Sequence, residues 1–190
     1  MPSSDDTGPR ADAAPGHARL DDASFDRLFR ESAADVHAYA ISLLGSRVAA
    51  EDVTALAFER LYRARARLDH GRGTPRAWLF AIARNAALDE LRRRRRQPQS
   101  ELSDVTPGDR DADSDGAFEQ IARRATVRDA LAALPLRERE LVLLKFHGQL
   151  SNSELARALG ISESNAGTRL HRALTRLREV CLQTERQEVA

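Results

Sequence analysis

Apolar residues recur along most of this chain at intervals of three and four, the period of a helix with one buried face. Phe25, Leu28 and Phe29 open the first run. Val36, Tyr39, Ala40, Leu43 and Leu44 carry it on to Gly45, a plausible stop because glycine takes left-handed backbone angles easily. A second run covers residues 48–68, with Val53, Leu56, Ala57, Leu61 and Tyr62 near one face. Residues 69–75 (DHGRGTP) read as loop from their glycines and proline. The third run, 76–96, carries Trp78, Leu79, Ile82, Ala83, Ala86 and Leu91, then five consecutive arginines, and Pro98 ends it.

The period then fails. Residues 97–117 hold two prolines, two glycines and almost no apolar anchor, so they read as a linker and a domain boundary. Helix resumes near Phe118 and runs to Leu134, Pro135 punctuates, and 136–147 (LRERELVLLKFH) is amphipathic. Ser151 and Glu154 have capping-box spacing ahead of a short helix whose Leu155, Ala156 and Leu159 face inward. Gly160 ends that helix, and Ser162 can cap a longer one over 163–180, with Leu170, Ala173, Leu174 and Leu177 as its inner stripe. No strand alternation of useful length occurs. The pattern predicts an all-α fold of two small helical domains, 20–96 and 118–184, joined by a flexible acidic linker at 97–117. Residues 1–19, rich in Pro, Gly, Asp and Ala, read as a disordered tail, and 185–190 as a second tail.

Composition narrows the function. The chain has 190 residues, 42% hydrophobic, enough for small helical cores, while 5% aromatic excludes a large aromatic one. A single cysteine, Cys181, excludes a disulfide framework and a multi-cysteine metal site, and reads as buried filler. His17, His37, His70, His147 and His171 fall in unrelated segments without metal-ligand spacing. There is no nucleophile elbow and no glycine-rich phosphate loop, and the adjacent Asp89 and Glu90 point apart on a helix. No catalytic residue, cofactor or metal is expected, and the chain reads as a protein without enzymatic activity. No apolar run approaches the roughly 20 residues that span a bilayer. The first residues lack the basic start and apolar stretch of a signal peptide, so a cytoplasmic protein without membrane insertion is expected.

Charge is balanced in sum (30 basic, 29 acidic) but segregated along the chain. Residues 76–96 carry seven arginines against Asp89 and Glu90, whereas 97–118 carry six acidic groups against Arg110. Lys145 is the one lysine, a bias that GC-rich coding explains without any nucleic acid.

The short helix, glycine turn and longer basic helix of 151–180 make a helix-turn-helix, whose second helix would enter a major groove by its N-terminal part. Ser164, Asn165, Ala166, Gly167 and Thr168 are small residues at that tip, able to let backbone approach DNA. A wet helical hairpin would look much the same from spacing alone. The block LPLRERELVLLKFHGQLSNSELARALGISESNAGTRLHRALTRLRE, however, resembles region 4 of the sigma-70 family. Ala50–Tyr62 (AEDVTALAFERLY) resembles the region 2 helix that docks on the RNA polymerase clamp. Trp78–Arg96 resembles the helix that separates strands and reads the minus-ten element. Both blocks in this order, with a short linker, resemble an extracytoplasmic-function (group IV) sigma factor.

That resemblance implies a set of roles. Ser164, Asn165, Thr168, Arg169, Arg172 and Arg176 would read the upstream, minus-thirty-five element. Asn85, Arg72, Arg76 and Arg92, Arg93, Arg94, Arg95 and Arg96 would serve the downstream element, with the flat Trp78 and Phe80 beside them, although the spacing of Trp78 with Leu79 and Ile82 fits the buried stripe better. Glu51, Asp52, Leu56, Phe58 and Glu59 would meet polymerase. Ala55 and Leu56 stand where the family usually has Gln and an acidic residue, and Ala166 and Gly167 where it usually has Val and a basic residue. The implied partners are bacterial RNA polymerase core (clamp and flap), promoter DNA and an anti-sigma protein, with no small-molecule substrate. The acidic linker suits a basic polymerase channel that later takes RNA. Its 21 residues reach at most about 70 Å, similar to two promoter elements about two helical turns apart at about 34 Å per turn. The competing reading is a free-standing helix-turn-helix regulator.

Overall fold

The computed structural model describes residues 20–68, 73–96 and 125–188, with side chains as far as Thr184. The tail at 1–19, the linker at 97–117 and the loop residues 69–72 lie outside these. All the described regular structure is helical: α1 (Asp22–Leu44), α2 (Arg47–Ala64), a 3-10 turn (Arg65–Arg67), α3 (Pro75–Arg96), α4 (125–133), α5 (Leu136–Phe146), α6 (Asn152–Leu159) and α7 (Glu163–Glu188).

Local chemistry sets most boundaries. Asp21 caps α1 by accepting from the Ser24 amide at 2.8 Å, and Gly45 closes it at φ 66°. Ser46 caps α2. That helix tightens after Ala64, because Arg65 turns back to donate to the Tyr62 carbonyl (3.0 Å) and lies 3.6 Å over the Tyr62 ring. Pro75, assigned to the loop by composition, is instead the first residue of α3, where its missing N–H costs nothing. Thr74 caps that helix, its hydroxyl accepting from the Ala77 amide at 3.2 Å. The last helix outruns the expected Val180 and reaches Glu188, since CLQTERQE contains no helix breaker.

The first three helices form a bundle around Val36, Tyr39, Ala40, Ala50, Ala57, Leu61, Leu79, Phe80 and Ala83. Phe25, Phe29, Phe58 and Tyr62 pack edge to face between α1 and α2, with ring centroids 4.7–6.2 Å apart. α5, α6 and α7 form a second group around Leu143, Leu144, Leu150, Leu155, Ala166 and Leu170. Arg139 joins α4 to α5 by donating to the Ala132 and Leu134 carbonyls that end α4.

The all-helical, two-domain expectation holds, and one continuous apolar core also runs from α1–α3 into α5–α7. The joint is α5 against α1 and α6 against the start of α3.

Candidate nucleic-acid interface

The helix-turn-helix is held by reciprocal caps. The Ser151 hydroxyl accepts from the Glu154 amide (3.2 Å), and the Glu154 carboxylate accepts from the Ser151 amide (2.9 Å). Gly160 turns the chain at φ 67°, and the Ile161 amide returns to the Ala156 carbonyl at 2.9 Å. Ser162 then starts α7, accepting from the Asn165 amide at 3.3 Å.

On α7, Ala166, Leu170 and Ala173 face the core, while Ser164, Asn165, Thr168, Arg169, Arg172 and Arg176 are exposed along one face. All six upstream candidates therefore share a surface. Two details depart from the sequence reading. Ala166 is fully buried, so it supports the turn and leaves no gap for a groove. Arg176 donates to Glu138 of α5 at 2.6 Å and is already partnered. Among the described residues, the other five, Ser164, Asn165, Thr168, Arg169 and Arg172, stand clear of such a pair.

The downstream candidates scatter. Asn85 is exposed at mid-α3, with Arg84 donating to its side-chain oxygen at 3.3 Å. Arg92 pairs with Asp89 at 2.7 Å, and Arg93 grips Glu90 with two bonds of 2.8 and 2.9 Å. Arg94 bonds Glu90 at 2.7 Å and caps α1 through the Leu44 carbonyl at 3.3 Å. The Arg93 hydrogen bond, seconded by Arg94, holds the Glu90 carboxyl down at about 2. Repulsion among five arginines is thus relieved within the helix, and Arg95 and Arg96 are the two of the run that remain exposed with no ion pair recorded among the described residues. Arg72 lies outside the described residues. Phe80 is fully buried, edge-on to Tyr39 at 5.8 Å, so it is core and no base reaches it. Trp78 is half-buried against the same core.

Arg76 faces inward. It donates to Ser32 (2.9 Å) and Asp35 (2.6 Å) on α1, and to the backbone carbonyls of His147 (2.7 Å) and Gly148 (2.8 Å) after α5. In this arrangement it is a tie between the two helical groups and offers nothing to DNA.

Of the polymerase candidates, Glu51, Asp52 and Glu59 are exposed on α2. Glu51 pairs with Arg47 at 3.2 Å and Glu59 with Arg63 at 2.6 Å. Leu56 is half-buried and, with Asp52, Arg60, Asp89 and Arg93, lines a groove between α2 and α3. Phe58 is only 5% exposed beneath Phe25 and Phe29, so its role is packing and not contact with a partner.

Sequence reasoning missed Glu140. Its side chain is 4% exposed and forms an ion pair with Arg84 of α3, itself 18% exposed. Burial raises the Glu140 pKa above the ordinary carboxylate value, and Arg84 pulls it part of the way back. The signal was present: Glu140 sits four residues after Leu136 and three before Leu143, on the apolar face, where an acid needs a partner. Glu154 was missed in a second role, since it also accepts from the Thr74 hydroxyl at 2.7 Å. Burial pushes the Glu154 carboxyl up, but its bonds from Thr74 and Ser151 prevail and its pKa lies below the ordinary value.

Comparison with known proteins agrees with this geometry. Residues 28–97 match the family model for Sigma-70 region 2, and residues 124–177 match Sigma-70, region 4. The ECF RNA polymerase sigma factor SigL of Mycobacterium tuberculosis is 30% identical over 86% of this chain and 92% of its own length. The ECF RNA polymerase sigma factor RpoE of Cereibacter sphaeroides is 31% identical over 84% and 87%. Among solved structures, the sigma factor RpoE in complex with the anti-sigma factor NepR from Bartonella quintana shares the fold at TM-score 0.63, with 22% identity over 82% of this chain and 95% of that one. CnrH, solved with the cytosolic domain of CnrY, gives TM-score 0.59 at 24% identity over 84% and 88%. The chain belongs to the sigma-70 family, within its extracytoplasmic-function group. No helix among the described residues is long and apolar enough to cross a membrane.

Proposed function

We propose that this protein is a dissociable specificity subunit of bacterial RNA polymerase that brings core enzyme to particular promoters and helps open them. The observation that carries the reading is the ordered pairing of a region 2 and a region 4 block in one chain. In this scheme Ser164, Asn165, Thr168, Arg169 and Arg172 read the upstream element in the major groove, and Arg176 joins them once it leaves Glu138. Asn85 contacts an unpaired base of the downstream element, with Arg95, Arg96 and the charge surplus of the run on phosphates. Glu51, Asp52 and Glu59, flanking the Leu56 groove, meet the polymerase clamp. The acidic 97–117 segment spans between the domains through a basic polymerase channel. The protein works in the cytoplasm and performs no catalytic step of its own.

Control comes from a separate anti-sigma chain, bound one to one and excluding polymerase. Pull-down from the native cell recovers polymerase or a small inhibitor, never both on one molecule; a ternary assembly rejects steric occlusion. Run-off transcription with core polymerase on genomic DNA tests the function. Transcripts that appear only with this protein are expected. None from any promoter, using folded and inhibitor-free protein, would overturn the reading.

A further inference from the structure

Asn85 is the residue of α3 assigned to an unpaired base, and one atom of its amide is already taken. The long side chain of Arg84, one position earlier, folds across so that its NH1 group donates to the Asn85 Oδ1 at 3.3 Å. A guanidinium carries N–H donors and no acceptor, so the amide atom that faces it must be the oxygen. This fixes which way the amide is turned and leaves the Nδ2 group, with its two hydrogens, for a ligand. Asn85 is exposed, and among the described residues its side chain has no other hydrogen bond.

Arg84 is itself held. Its Nε side pairs with the buried Glu140 of α5, and its side chain is 18% exposed. That pair confines the guanidinium to the neighbourhood of Asn85. The contact with Asn85 lies wholly within α3, between adjacent residues, and needs no second element.

The consequence is a restriction on base choice. An unconstrained asparagine reads adenine with both amide atoms, accepting from N6 and donating to N7. With its oxygen occupied, Asn85 has donors alone, and a pair of donors is matched by two acceptors side by side. Guanine shows N7 and O6, and an unpaired cytosine shows O2 and N3 on its Watson–Crick edge. Adenine and thymine show no such pair. Resting on the sigma-factor reading, we propose that Arg84 is the positioning residue of Asn85, making it a donor-only reader that selects guanine or cytosine and rejects adenine. Arg84 touches no base; it acts through the amide that it holds.

The full-length protein with bacterial core polymerase tests this on a promoter library randomised through the downstream element, the transcribed members being sequenced. Asn85→Ala identifies the position read, as the one where base preference disappears. Wild type takes guanine or cytosine there. Arg84→Ala raises adenine at that position about ten-fold and leaves the other positions unchanged, which a merely structural defect does not do. Glu140→Gln, which keeps Arg84, retains the wild-type preference. Arg84→Met with Glu140→Met replaces both partners by apolar groups and serves if Arg84→Ala unfolds through the buried acid it leaves unpaired. Adenine favoured by wild type, or no gain of adenine without Arg84, overturns the proposal. So does an equal gain in Glu140→Gln, since the joint and not Arg84 would then set the choice. If Asn85→Ala erases no preference, the base contact fails and the proposal with it. Side-chain 15N relaxation in the isolated protein decides the contact apart from function: an Asn85 amide ordered in wild type and mobile in Arg84→Ala is expected, and equal mobility overturns it. If no library member is transcribed, the sigma-factor reading falls, while the relaxation still decides whether Arg84 holds Asn85.

Discussion

At Gly167, in the first turns of α7, a methyl group would meet only the Asn152 side-chain nitrogen at 3.6 Å, an ordinary contact. The backbone there is helical, so the glycine carries entropy without a packing reason. Gly167→Ala is expected to stabilise the protein by about 1 kcal/mol, read as a higher urea midpoint at unchanged m-value. Ser151 predicts the opposite sign. Ser151→Ala removes the acceptor of the Glu154 amide and lowers stability by about 1 kcal/mol in the same measurement. On the exposed face of α7, the proposed function predicts that Arg172→Ala reduces the slope of log affinity against log salt by about 1 on upstream-element duplex, the signature of one lost phosphate contact. Residue placement was legible wherever helical period alone decides it, as for the exposed face of Ser164, Asn165, Thr168, Arg169 and Arg172. It was not legible for Phe80 or Phe58, because an aromatic ring suits a base, a partner or a core equally well. What settles those two is the rings beside them, Tyr39 for one and Phe25 and Phe29 for the other.

Helices were easier to read than their ends. Asp21, Gly45, Ser151 and Gly160 announce four boundaries through capping chemistry that is local in sequence. The end of α2 has no such signal, since Arg65 closes it with a side chain that reaches back to Tyr62. The arginine-rich end of α3 shows how an element manages its own charge. Glu90 stays ionised there because Arg93 and Arg94 bond it, and its pKa falls from the ordinary 4.5 to about 2. A carboxyl lowered on folding stabilises the folded state above its unfolded value, and the benefit fades as pH drops through the folded one. Wild type should therefore melt above Glu90→Gln at pH 6, with the gap closing as pH falls from 4.5 toward 2, in paired thermal scans. A gap independent of pH would mean that the Glu90 contacts are not what holds this end of the helix.

At the scale of the molecule the all-helical class was visible in the period, but the shared core was not. Joining α3 to α5 and α6 depends on contacts such as Arg76 to Gly148 and Thr74 to Glu154, 72 and 80 positions apart. No local pattern encodes such pairings, and the composition of the intervening linker suggested separation. A continuous core predicts one cooperative calorimetric transition for the wild type, and two for a Glu140→Gln, Asp35→Ala double variant in which the halves melt independently. Two transitions already present in the wild type would mean that the halves are energetically separate. The four acceptors around Arg76 also set a pace. With all four in place, the guanidinium protons of Arg76 meet water only as fast as these contacts break. Side-chain hydrogen exchange followed by NMR should therefore show Arg76 slowed relative to the exposed Arg95, and Asp35→Ala should narrow the difference. Equal rates for Arg76 and Arg95 in the wild type would mean that the four contacts are not held together in solution.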